Sequence, residues 1–313
     1  MANTFEYSKL TCANYSQAIT SVRRIYEDTY KISFKLPETF VESDKIIQML
    51  SNNYQKSTLI TFISAILWSL NKLDRTTYTD SYISELSTTY RTHSSEIKAQ
   101  LEREKIGKEF QLTEKEQKSF MRWEDILKTY TTISINVSKS NYNTFMDFVI
   151  VSLYVLHPPV RADYANMKFF IDDSFVPVNE SENYCVLQTN PRFVFNKYKT
   201  AKHNGTTVIH IESELHDILL DWAEINTSNY LLSSYTQYKN EFKPFSENTL
   251  SKRITSIFMK FADVPVTINT LRHSFVSFMS KNDQEYTQKQ NNAAKMMHSI
   301  SMADKYRRMV YLD

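Results

Sequence analysis

Thr267-Ile268-Asn269-Thr270-Leu271-Arg272-His273-Ser274-Phe275-Val276-Ser277 is the stretch on which the fold turns. It reads as an otherwise apolar helix, opening at Thr267 as its N-cap, with an Arg-His pair near its start. A guanidinium buried without a partner costs several kcal/mol, so Arg272 needs either a structural carboxylate or an anion. Both remain open on these residues alone. Around this helix, Ser213 to Glu224, Ser246 to Phe261 and Gln288 to Met297 also read as helices, with Ser213 and Ser246 as further N-caps.

Upstream of them the period changes. Phe193 to Lys199 and Thr206 to Ile211 are rich in β-branched and aromatic residues, and Asn204-Gly205 between them is a hairpin-turn signal. Before the hairpin, Tyr142 to Leu156 is apolar enough to be a buried central helix that stops at His157-Pro158-Pro159, because proline neither continues a helix nor favours one in the residue before it. Trp123-Glu124-Asp125 opens this second unit. The first is different: Asn14 to Tyr30, Thr39 to Leu50 and Ser57 to Leu73 predict a small helical bundle, and Ser94 to Lys118, rich in Glu, Lys and Gln, predicts a solvated helix or connector. The expected architecture is mainly α with a small antiparallel sheet, in two domains, 1–115 and 116–313.

Composition removes several function classes. The 313 residues include 2 Gly, where average usage of about 7% would give roughly 22. Gly-rich phosphate loops are thereby excluded, and with them the usual ATP, GTP and NAD chemistry. Cys12 and Cys185 match no metal or redox spacing, no zinc-type pair of His or Cys occurs, and Gly-x-Ser-x-Gly and His-Glu-x-x-His are absent. No cofactor and no metal are expected. The start lacks a secretory pattern and no apolar run is long enough to span a bilayer, so the expectation is an intracellular protein without a membrane partner. Net charge is +2, but residues 192–311 carry 16 Lys+Arg against 11 Asp+Glu, leaving 21 against 24 elsewhere. The excess of basic residues in the C-terminal part points weakly to a polyanion there.

Four places could carry chemistry. Arg161, in Pro158-Pro159-Val160-Arg161-Ala162-Asp163-Tyr164, follows a buried helix at a turn; alone it suits a surface ion pair equally well. Lys202, with its neighbour Lys199, sits at the hairpin within Cys185 to Ile211, a run of 27 residues free of Asp and Glu. Arg272 is the third. The fourth is Met296-Met297-His298-Ser299, with Tyr306 eight residues beyond the histidine; a lone histidine among methionines also suits a core position.

In this order the four sites resemble the tyrosine recombinase (phage-integrase-like) family. Arg161 matches its first arginine, Lys202 its hairpin lysine, Arg272 in Leu-Arg-His-Ser-Phe its second arginine, His298 its third-box histidine, and Tyr306 its nucleophile. The wording Pro-Pro-x-Arg-x-Asp-Tyr and Tyr-Lys-Thr-x-Lys looks more like enzymes of eukaryotic mobile elements and large DNA viruses than bacterial ones. The resemblance covers residues 120–313. It implies cleavage and rejoining of duplex DNA through a 3'-phosphotyrosyl link, without metal or nucleotide, in the host nucleus or at a viral replication site. It also implies that the N-terminal bundle is a core-binding domain closing a clamp on DNA, and that the protein self-associates on DNA as a dimer or tetramer.

Three departures stand out. The family's His or Lys three residues before the second arginine is here Asn269, and the glycine before the third-box histidine is Met297. The family's tyrosine lies nine residues after that histidine; here Arg307 is at nine and Tyr306 at eight, with Tyr311 as a fallback. Only seven residues follow Tyr306, so tetramer assembly through a C-terminal helix is not expected. Two alternatives share the resemblance: a catalytically inactive recombinase fold kept for DNA binding, and a type IB topoisomerase-like enzyme that relaxes DNA.

Overall fold

Side-chain periodicity and caps account for most of the helices in the computed structural model, which describes residues 7–108, 110–172, 181–236, 241–281 and 286–309. The chain divides into two compact units, Met1–Lys108 and Glu109–Asp313. The division falls inside the stretch rich in Glu, Lys and Gln.

In the first unit, helix α1 (Lys9–Tyr30) starts where the Ser8 hydroxyl accepts the Thr11 N–H, and α2 (Ser43–Asn53) follows a single 3-10 turn, Glu38–Val41. Helix α3 (Lys56–Leu70) is the central one: Leu59, Phe62, Ile63, Ala65, Ile66 and Leu70 are all buried. Helix α4 (Asp80–Lys105) begins well before the connector that the composition suggested, because Ile83, Leu86, Tyr90 and Ile97 pack into the bundle. Beyond Ile97 it runs exposed apart from a partly buried Leu101. The buried Tyr90 hydroxyl donates to the Phe40 carbonyl at 3.0 Å, so its one polar atom is satisfied inside the core.

The second unit is built on α7 (Tyr142–Val155), started by the Asn141 side chain, which accepts from two backbone amides of its first turn. Nine of its residues, Phe145–Met146 and Phe148–Tyr154, are buried. A helix buried on all sides must be covered by other elements. Here α6 (Trp123–Asn136), α9 (Ser213–Ile225) and α10 (Glu247–Ala262) pack on it. Trp222 of α9 is fully buried, stacks near Phe145 and donates its indole N–H to the Leu231 carbonyl at 2.8 Å. The α7 helix ends before His157-Pro158-Pro159, as its prolines require.

The sheet has four short strands, β1 (Lys168–Phe170), β2 (Tyr184–Val186), β3 (Arg192–Phe195) and β4 (Thr207–His210), in that spatial order. The β2–β3 and β3–β4 pairs are antiparallel, with Phe193 opposite Ile209, but β1–β2 is parallel, which makes the sheet mixed. A separate hairpin joins β5 (Ser233–Thr236) to β6 (Glu241–Pro244). The β3–β4 hairpin differs from its expected form: Asn204-Gly205 is no two-residue turn but closes a short helix, α8 (Ala201–Asn204), with Gly205 at φ 68° as its C-cap. A positive φ is what glycine is suited to.

Downstream, Ser246 caps α10 and accepts the Thr249 N–H. Thr267 and Thr270 cap α11 (Ile268–Lys281) reciprocally, each hydroxyl accepting the other's backbone N–H, at 3.2 and 2.8 Å. Ser213 does not cap α9; it is the first helical residue, and Glu212 holds the cap position. Helix α12 (Tyr286–Lys295) ends in a Schellman-type closure, with the His298 N–H bonded to the Ala293 carbonyl and the Met297 N–H to that of Ala294. Met297 takes the left-handed conformation there, at φ 57°, where the family resemblance would put glycine. The backbone cost of about 1–2 kcal/mol is offset by burial of its side chain, which is 3% exposed and contributes roughly 1.5–3 kcal/mol. Among the described residues no helix is long and apolar enough to cross a membrane.

Met297→Gly relieves the backbone and empties part of the core. We predict a net loss of about 1 kcal/mol in urea unfolding; a gain in stability would mean that backbone strain outweighs burial at this position.

Candidate active site

Arg272 lies in the first turns of α11 and is 1% exposed, far inside for a guanidinium. Its Nη1 donates to the Pro159 carbonyl at 2.8 Å, so the Pro158-Pro159 break that ends α7 also supplies its acceptor. Its Nη2 contacts His298 Nε2, and its Nε has no hydrogen-bond partner. Two residues past Pro159, Arg161 is held by its backbone, whose carbonyl accepts from the Tyr154 hydroxyl at 2.8 Å. The Arg161 Nη1 is buried and likewise unpartnered. Beside them, one oxygen of Asp163 is buried without a partner; burial pushes this carboxyl up to about 6, against the pull of Arg161 and Arg272.

Two neighbouring guanidiniums with unsatisfied donors are an electrostatic problem. Burial, with Arg161 as a further cause, lowers the Arg272 pKa, and neither guanidinium is hydrogen-bonded to a carboxylate among the described residues. Of the two partners that the sequence left open for Arg272, the structure supplies no structural carboxylate bond. An anion offering several oxygens would satisfy the free donors of both arginines at once.

His298 faces this pair from the closure that follows α12. Burial first, then the charges of Arg272, Arg161 and Lys199, lower its pKa to about 3, so the imidazole is neutral near pH 7 and accepts at Nε2 from Arg272. Tyr306 is brought back by a short device. Ser299 caps α13 (Ile300–Asp304) by accepting the Met302 N–H, and a turn from the Ala303 carbonyl to the Tyr306 N–H follows at once. The five-residue helix absorbs the shortened spacing after His298. The Tyr306 ring ends 4.7 Å from the Arg272 guanidinium, 5.5 Å from the His298 ring and 4.9 Å from that of His273.

Arg161, Arg272, His298 and Tyr306, the four residues chosen from separate stretches of sequence, are thus gathered in one place. Lys202 is not joined to them by any contact among the described residues; it is exposed on α8. The hairpin lysine whose charge reaches His298 is Lys199. Tyr311 lies outside the described residues.

The chain is similar to the crystal structure of XerA recombinase. The two are 14% identical with a TM-score of 0.40, over 98% of this chain and 90% of that one. No protein-family model and no curated protein matches this sequence.

Sequence reading missed several residues packed against this group. Asp163 was in view, two residues from Arg161, yet only the structure shows its unpartnered oxygen facing the arginines. Asn269, noted as a departure, does not face the arginines: its amide bonds His273 Nε2 at 3.1 Å. Glu116, 3.0 Å from that same Nε2 and 2.7 Å from Arg308 Nη2, gave no signal, being nearly two hundred residues from Arg308. Among the described residues no group of three or more His, Cys, Asp or Glu side chains could hold a metal ion.

The titrating groups fix a pH response. His157 and His273 are lowered by burial to about 3 and about 4, and His298 to about 3. Unfolded, each binds a proton from about pH 6.5 downward; folded, it does not. Their contribution to stability is therefore complete above about pH 6.5 and is lost as the pH falls toward 4. Asp163, raised to about 6, works in the opposite direction over pH 6 to 4 because the folded state is then the one that binds the proton. We predict that the melting temperature of the second unit falls between pH 7 and pH 4.5, and falls more steeply in Asp163→Asn, which lacks the opposing group. A flat profile in both proteins would contradict this assignment of protons.

Proposed function

We propose that the second unit cuts and rejoins duplex DNA, as a site-specific recombinase or integrase does, with Tyr306 as nucleophile. The observation that carries this reading is the buried Arg272 beside a half-buried Arg161, each with a buried, unsatisfied donor, set against a tyrosine ring and a neutral histidine. A phosphodiester passing through a five-coordinate transition state gains negative charge on its non-bridging oxygens, and preorganised guanidinium donors stabilise that charge more than the ground state. Peptide or glycosidic substrates would call for different groups. An oxyanion hole of backbone amides or a pair of carboxylates flanking a cleft would serve those, whereas this site presents cations and a phenol.

The reaction balances without a cofactor. The Tyr306 oxygen gives its proton to solvent water as it bonds to phosphorus, and the bond from phosphorus to the 5'-oxygen breaks, leaving a 3'-phosphotyrosyl link and a 5'-hydroxyl. The 5'-oxygen takes up one proton as it leaves, from a lysine of the β3–β4 hairpin acting as general acid. Lys202 carries that role by resemblance and Lys199 by its reach to His298. The phosphotyrosyl bond conserves the energy of the bond it replaces, so attack by a 5'-hydroxyl reverses the step. The helical first unit would then be the second half of the DNA grip. Association of copies on DNA belongs to the same reading.

The test is a denaturant trap. The protein is incubated with supercoiled and nicked duplex DNA, stopped with SDS, and assayed for protein attached to a 3'-phosphate. Wild type should form the adduct and Tyr306→Phe should form none while binding DNA with the same salt dependence. Arg272→Ala should slow adduct formation by about 10²–10³-fold, the usual cost of one preorganised donor. Of Lys199→Ala and Lys202→Ala, the one lacking the general acid should recover when the 5'-oxygen is replaced by sulfur, whose thiolate leaves without protonation. Salt-sensitive binding with no adduct on any DNA would identify a DNA-binding protein that keeps the fold without the reaction. Adducts on any supercoiled plasmid, with relaxation and no strand exchange, would favour a topoisomerase.

A further inference from the structure

Against the Tyr306 backbone lies a second polar cluster. His273 Nδ1 sits 2.8 Å from the Tyr306 carbonyl oxygen, which can only accept, so Nδ1 carries the proton. In the neutral imidazole Nε2 is then an acceptor. Three groups crowd it: Glu116 Oε1 at 3.0 Å, which as an acceptor gives it no hydrogen bond, and two donors, the amide nitrogen of Asn269 at 3.1 Å and Arg308 Nη2 at 3.2 Å. The same Arg308 nitrogen donates to Glu116 Oε1 at 2.7 Å, so one guanidinium group bonds both the imidazole and the carboxylate. The side chains of Glu116, His273 and Arg308 are only 14%, 6% and 10% exposed.

Each partner is fixed from its far side as well. Glu116 Oε2 accepts from the Thr113 N–H and hydroxyl in a capping box that starts the short helix α5 (Glu114–Gln117). Ser277, one turn after His273, donates to the His273 carbonyl and accepts the Arg308 N–H, both at 2.7 Å. The Met309 N–H bonds the Phe110 carbonyl at 2.8 Å, and the Arg307 guanidinium lies 5.5 Å over the Phe110 ring. The backbone at Tyr306 and just after it is therefore pinned to α11 and to the segment around α5. The phenol ring lies against Arg272, His298 and His273. The pinned backbone sets where the ring goes.

We propose that Glu116, Asn269, His273 and Arg308 form a positioning cluster that locks the backbone of Tyr306 in cis, with its ring against Arg272; the proposal rests on reading Tyr306 as the nucleophile. Asn269 thereby serves the tyrosine side of the site in a position from which the resemblance would have put a charged residue on the phosphate. None of the four touches the reacting atoms. Their effect is on the fraction of molecules whose phenol is aligned, and a misplacement of about 1 Å in such a site costs on the order of 10²-fold in rate.

The experiment uses the full chain and two readouts. The first is the rate of SDS-trapped adduct on nicked duplex DNA as a function of DNA concentration, for Glu116→Gln, Arg308→Gln and Arg308→Lys. The second is hydrogen exchange at the Arg308 amide, which is bonded to Ser277. The expected result is a loss of at least about tenfold in rate at saturating DNA for Glu116→Gln and Arg308→Gln. Half-saturating DNA should be unchanged and Arg308→Lys should recover part of the rate. Exchange at the Arg308 amide should be at least about tenfold faster in the first two variants. A plain structural tether of the chain end would speed exchange and leave the saturated rate alone. A saturated rate within about twofold of wild type, or unchanged exchange, overturns the proposal. Should Glu116→Gln fail to fold, the two Arg308 variants decide. Should wild type itself form no adduct, the reading of Tyr306 as nucleophile fails and the exchange measurement still decides whether the cluster holds the segment.

Discussion

Arg272 is the constraint around which the second unit is arranged. Its guanidinium is nearly inaccessible to water, and a buried cation without compensation costs several kcal/mol. The fold answers part of that cost through the Pro159 carbonyl, which lies in the non-helical segment after α7 and accepts from Arg272 Nη1. It answers another part through the neutral His298, brought in by the left-handed turn at Met297. The Nε donor stays unsatisfied, as does a donor of Arg161 close by. One guanidinium is buried and its neighbour half-buried, and a donor on each is left without a partner; it is on this uncompensated part of the electrostatics that the proposed function rests.

How much of this the sequence made legible follows from the range of the forces involved. Helices with a sustained apolar face, such as α3, α7 and α10, were readable because periodicity is a local property. The first half of α4 was overlooked because its core residues, Ile83, Leu86 and Tyr90, are separated by Ser, Thr and Glu that read as solvated. Strands β1 and β2 are three residues each, too short to show alternation, and their parallel pairing depends on a connection that no local pattern encodes. The Asn204-Gly205 signal marked the right place for a reversal but the wrong device, since the glycine closes a helical turn instead of a tight hairpin.

For the site, residues that stand out by chemistry were visible: an arginine after a proline pair, an arginine on an apolar helix, a histidine and a tyrosine near the end. What was invisible is pairing across distance. Glu116 in a capping box looks like an ordinary helix start, and its second role toward His273 and Arg308 appears only when the chain is folded. The shift of Tyr306 from nine to eight residues after His298 likewise could not be weighed from spacing alone, because a change of about 100° in helical phase matters only if one continuous helix joins them. The chain here runs through a turn, a five-residue helix and another turn, and the ring still reaches Arg272.

On the proposed function, the phenol at position 306 is the group that bonds to DNA phosphorus. The most direct measurement is to digest an SDS-trapped adduct with nuclease and protease and to locate the residual nucleotide by tandem mass spectrometry. The expected result is a single nucleotide joined through its 3'-phosphate to Tyr306, in the peptide that carries Lys305 and Arg307. A nucleotide on Tyr311 or on any other residue would contradict it, and would mean that the ring lying against Arg272 is a structural neighbour of the site and not its nucleophile.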